Sequence, residues 1–62
     1  MFAISYERVS GELEFMAAEF PTADDAQLVC ENLWNRYSAT EKFARFSVLN
    51  LETQEIVTDF EC

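Results

Sequence analysis

Chemistry in this chain would have to come from its carboxylates. Twelve Asp and Glu residues stand against four Lys and Arg, and histidine is absent. Close-set acids recur as Glu12 with Glu14, Asp24 with Asp25, and Glu55 with Asp59 and Glu61. A carboxylate pair can divide acid and base roles when its surroundings push the two pKa values apart. A chain this acidic produces such pairs by chance, however, and Asp24 with Asp25 is better explained as charge at a helix start. Without histidine there is no Ser-His or Cys-His relay. Gly11 is the only glycine, so no glycine-rich loop cradles a phosphate, and Lys42, the only lysine, has no setting for a Schiff base. The two cysteines, Cys30 and Cys62, show no CxxC or other metal-ligand spacing. The expectation is a non-enzymatic protein that holds neither metal nor cofactor.

The same carboxylates matter more as an array. Residues i and i+2 of a strand point the same way, about 6.7 Å apart. Glu12 with Glu14, and Glu55, Asp59 and Glu61 on the last strand, would form rows of same-side acids. Asp24, Glu31 and Asp25 add charge on the outer face of a helix. Such a surface would imitate the spaced charges of a nucleic-acid backbone; the plainer reading is a solvated skin that keeps a small protein soluble. The net charge of -8 disfavours direct nucleic-acid binding, which depends on neutralising phosphates with Lys and Arg. It favours a basic protein surface, above all one that normally handles nucleic acid. Half the residues are hydrophobic and 15% are aromatic, so the chain is folded and not disordered.

These side chains need a scaffold, and Pro21 to Tyr37 is the stretch around which it forms. Thr22 is a good N-cap, able to accept from the backbone N–H of Asp25. Asp24 and Asp25 complement the positive end of the helix dipole, and Arg36 its negative end. At about 100° per residue, Ala26, Val29, Cys30, Leu33 and Tyr37 share one stripe, with Trp34 at its edge. Trp34 is read two ways, as the rim of the core or as an aromatic anchor for a partner. Asp24, Leu28, Glu31 and Asn35 lie opposite. No glycine closes the helix, whose end falls between Tyr37 and Lys42.

Both flanks read as hairpins. Phe2, Ile4 and Tyr6 alternate with polar or small residues, the period of a half-buried strand, and Gly11 supplies a turn residue free to take positive φ. Leu13, Phe15 and Ala17 share one face of the return strand. Phe20 then has the wrong parity, which predicts a bulge or strand end near Ala17 and Ala18. Phe43 to Leu51 is the third strand, with Phe46 and Val48 on one face and Arg45, Ser47 and Leu49 on the other. Glu55 to Glu61 is the fourth. The fold class is therefore α+β, in ββαββ order: a four-stranded, mainly antiparallel sheet with one helix packed on one face. Strand orders placing strand 1 beside strand 3, or strand 2 beside strand 4, keep all neighbours antiparallel and are preferred. One helix covers one face only, so the other is expected to carry some of Val9, Met16, Phe43, Leu49, Leu51 and Val57.

Residues 1–62 form a single domain, too short to bury a large core. No apolar run is long enough to span a membrane. Two reduced thiols in a cytoplasmic protein are expected, although one Cys30–Cys62 disulfide is compatible with the spacing. A compact, very acidic, histidine-free domain of this size resembles the small phage-encoded inhibitors, among them anti-CRISPR proteins and nucleic-acid (DNA) mimics. The residues that carry the resemblance are Glu12, Glu14, Asp24, Asp25, Glu31, Glu52, Glu55, Asp59 and Glu61. It is a resemblance of class without a shared motif, and it implies a protein that blocks the basic groove of a nucleic-acid-binding host protein. The expected partner-binding residues are Glu12, Glu14, Asp24, Glu31, Trp34, Glu55, Asp59 and Glu61. The alternative is a homodimeric structural or accessory subunit in which the apolar surplus pairs two copies and the acids serve solubility.

Overall fold

The computed structural model describes residues 1–61. Cys62, and with it any Cys30–Cys62 pairing, lies outside the described residues. Gly11 takes a φ of +99°, open only to glycine without strain, and closes the hairpin between β1 (Phe2–Arg8) and β2 (Leu13–Phe20). Thr22 then caps α1 (Ala23–Tyr37), its hydroxyl accepting from the Asp25 N–H at 3.2 Å. Lacking a glycine, the helix tightens into one 3-10 turn (Ser38–Thr40) and stops at Glu41, which adopts the left-handed conformation with φ 59°. The chain continues into β3 (Phe43–Asn50). The Asn50 side chain accepts from the N–H groups of Glu52 and Thr53, and a left-handed Gln54 starts β4 (Glu55–Glu61).

The four strands form one antiparallel sheet in the order β2-β1-β3-β4, with α1 packed on one face. Ile4 stands opposite Val48 and Tyr6 opposite Phe46 on the helix-facing side. Ile4, Val48, Ala26 and Cys30 are fully buried there. Leu33, Trp34, Tyr37 and Phe60 close the rim. Removing an aliphatic side chain of this size from water contributes about 1.5–3 kcal/mol, so a few residues carry most of the stability of so small a domain. Trp34 meets Phe46 edge to face at 6.0 Å, and Tyr37 stacks on Phe46 at 6.5 Å. Trp34 is thus half-buried in the rim of the core. Among the described residues, no helix is long and apolar enough to cross a membrane.

Three register breaks interrupt the pairing, one in each pair of strands, and those that add a single residue change which side chains reach which face. In the first hairpin Ala3 pairs with Glu19 but Ser5 with Phe15, so β2 bulges opposite Ile4. The bulge adds two residues and so keeps parity: Met16 and Phe20 reach the core while Leu13 and Phe15 lie on the uncovered face. In the second, Val48 pairs with Thr58 but Leu49 with Ile56, leaving Val57 as the extra residue. The expected content of the uncovered face is corrected accordingly. Met16 and Phe43 belong to the helix side, and of the expected residues Leu49 lines the open face together with Leu13, Phe15 and Ile56. Periodicity alone misplaces Phe43 because Glu7 pairs with Arg45 but Arg8 with Phe43. That one extra β3 residue reverses the alternation, as Val57 does in β4. Met16 simply shares the face of Phe20, because the β2 irregularity adds two residues and keeps parity.

Candidate binding surfaces

The antiparallel topology separates charge along the strands. Arg8 ends β1, Arg45 lies beside Glu7 near the start of β3, Arg36 is in the last turn of α1, and the Lys42 carbonyl accepts from Val9. All four cationic side chains therefore gather where β1 ends. At the opposite end, Glu19 pairs with Ala3, Asp24 and Asp25 open α1, and Glu55 pairs with Asn50. Glu52 reaches the Met1 amino group at 3.6 Å, the one cationic group at that end among the described residues. The six residue steps of β1 put about 20 Å between the two ends. This exceeds the Debye length of about 8 Å in physiological salt, so the arginines do not neutralise the acidic pole.

At the other end the arginines are shared. Arg8 Nε lies 3.8 Å from Glu12 and 3.3 Å from Glu14. Arg45 lies 3.3 Å from Asp59 through Nε and 2.7 Å from Glu61 through Nη2. The Tyr6 hydroxyl also donates to Glu14 at 2.8 Å, and these hydrogen bonds, Tyr6's first, hold the Glu14 carboxyl below its ordinary value. Two acids meet one arginine in each cluster, so the charge there is reduced and not abolished.

The expected binding residues thus divide into separate groups. Asp24 and Glu55 lie at the acidic pole, joined by Glu19, which the sequence reading passed over. Glu31 is exposed midway along the outer side of α1. Glu12 and Glu14 converge on Arg8, while Asp59 and Glu61 converge on Arg45. Glu55 does not join Asp59 and Glu61 in one row. The Val57 bulge turns Glu55 to the face of Asn50 and Phe2, whereas Asp59 and Glu61 lie opposite Ser47 and Arg45 on the uncovered face. Only a known register reveals this break.

Two depressions remain. One, of about 200 Å3, lies between α1 and β2 and is lined by Tyr6, Met16, Leu33, Tyr37 and Phe43, with Arg8 over the Phe43 ring at 5.3 Å. The other, of about 440 Å3, lies on the uncovered face of the sheet. Cys30 opens into neither: it is fully buried, and that burial pushes its thiol up to about 11, with Asp59 adding a smaller repulsion. A thiol of this kind packs as an apolar group and is a poor nucleophile. Among the described residues no group of three or more Cys, Asp or Glu side chains is arranged to hold a metal ion. Comparison with protein-family models, with curated proteins and with solved structures finds no match to this chain.

Proposed function

We propose that this protein is a small acidic, non-enzymatic binding module that occludes a basic, nucleic-acid-handling surface of a protein partner, in the manner of an inhibitor or nucleic-acid mimic. The observation that carries the reading is the charge separation: Glu19, Asp24, Asp25, Glu52 and Glu55 share an end of the fold where no lysine or arginine lies. Acids in excess of the single Met1 ammonium at that end steer a basic surface toward it before contact is made. The partner is cytoplasmic on this reading, and the setting resembles a phage-encoded inhibitor acting on a host nucleoprotein. Capture of a basic partner at low salt, and its release by added DNA, tests the proposal; a captured partner indifferent to DNA contradicts it.

A homodimer is the second reading, favoured by one observation, the exposed Leu13, Phe15 and Ile56 on the sheet face that α1 does not cover. The two are not exclusive, since a dimer could still carry the acidic pole, and sedimentation equilibrium tests the dimer. A 7.2 kDa species at micromolar concentration excludes the dimer.

A further inference from the structure

We infer that the uncovered face of the sheet is a trough that docks one basic amphipathic helix of the partner, an inference that rests on the basic-partner reading above. The middle of its floor is made of small residues on the two central strands, Ala3, Ser5 and Ser47, between Leu49 toward one end and the Glu7–Arg45 pair at the other. Ala3 and Ser47 are only 5% and 2% exposed although no element lies over them. Its walls stand on the edge strands, where Leu13, Phe15 and Ile56 remain 63%, 54% and 55% exposed. Ser5 faces Ser47 across the middle, and the open depression measures about 440 Å3.

The dimensions favour a helix. β2 and β4 are three strand spacings apart, about 14 Å, and a helix with its side chains is about 10–12 Å across. An added strand would instead pair with the backbone of β2 or β4 at the sheet edge and leave the trough empty. Charge then chooses between a second copy and a foreign helix. Glu7, Glu19, Asp59 and Glu61 lie on this face, and Arg45, its one cation, is already held by two of them. A second copy would bring the same negative rim against it. A helix with an apolar stripe flanked by lysine or arginine satisfies both floor and rim.

The test uses the whole protein and a fluorescein-labelled synthetic peptide of leucine and lysine, about 18 residues long, or five helical turns. Its leucines are spaced as one helical stripe, and a scrambled peptide of the same composition serves as the reference. Fluorescence anisotropy should show the striped peptide binding at least about tenfold more tightly than the scrambled one. The Leu13→Thr/Phe15→Thr variant, which keeps strand-favouring residues at exposed positions, should melt like wild type yet lose that preference. Equal binding of the two peptides by wild type would overturn the trough while leaving the electrostatic reading intact. No binding of either peptide at low salt would overturn both. A wild-type dimer that the double variant dissolves would give the trough to a second copy and overturn the foreign helix.

Discussion

Tyr6 and Glu14 face each other across the β1–β2 pair, and the tyrosine hydroxyl donates to the glutamate carboxylate at 2.8 Å. The bond ties the edge strand to the centre of the sheet at the mouth of the groove between α1 and β2. It also couples two titrations, raising Tyr6 above its ordinary 10.0 while lowering Glu14 below its ordinary 4.5.

The sign of the pH dependence follows. Glu14 is depressed in the fold, so its contribution is present above 4.5 and is lost as pH falls through the lower folded value. Tyr6 is raised, so its contribution is present below 10.0 and is lost as pH rises through the higher folded value. The stability gap between wild type and Tyr6→Phe, read from urea midpoints, should be flat across neutral pH and shrink at both extremes. A gap of constant size from about pH 3 to 11 would contradict the coupling.

Core truncation should rank by burial. Ile4 is fully buried between α1 and the sheet, whereas Leu33 is only partly buried and borders the 200 Å3 groove. Ile4→Ala should cost about 2–5 kcal/mol, as fully buried aliphatic truncations do, which approaches the whole stability of a domain this small. Leu33→Ala should cost less, because part of its surface already meets water. Urea unfolding of both variants checks the order.

The turn before β4 holds a correctable strain. Gln54 sits at φ 61°, a conformation costing a side-chain-bearing residue about 1–2 kcal/mol. Glycine relieves that but loosens the unfolded chain by about 0.4–1 kcal/mol. Gln54→Gly should therefore stabilise the protein by up to about 1.5 kcal/mol, without altering its charge, as thermal melting will show.

Cys30 should be silent in the native state. With its thiol pushed up to about 11, only about a thousandth is ionised at pH 8, and the sulfur is buried. In a Cys62→Ser background, reaction with an aromatic disulfide reagent should proceed only as fast as the protein opens and should accelerate with urea. Rapid stoichiometric labelling of the folded protein would contradict the packing of α1.

What the sequence makes legible is what is written locally. The Thr22 cap, the α1 stripe and the strand-strand-helix-strand-strand order all follow from neighbours within one or two turns. The faces of Ile56 and Glu55 do not, because one extra residue at Val57 reverses the alternation and no residue type announces it. A bulge does fall near Ala17 and Ala18, but it keeps parity. Phe20 is out of step with Leu13 and Phe15 because they lie on opposite faces, and nothing in the sequence said which would be left uncovered. The acidic pole is equally hidden. Glu19, Asp24 and Glu55 become neighbours in space only once strand order and direction are known.

The central claim is that the acidic pole binds a basic, nucleic-acid-handling protein. It is tested most directly by affinity capture from a nuclease-treated bacterial lysate. Wild type is compared with a Glu19→Gln/Asp24→Asn/Glu52→Gln/Glu55→Gln variant whose folding is verified by circular dichroism. Wild type should retain a basic nucleic-acid-binding protein at low salt, release it at about 0.5 M salt, where screening is short-ranged, and release it to added DNA. The folded variant should capture at least about tenfold less. Equal capture by wild type and variant, or a partner that neither salt nor DNA displaces, would contradict the account.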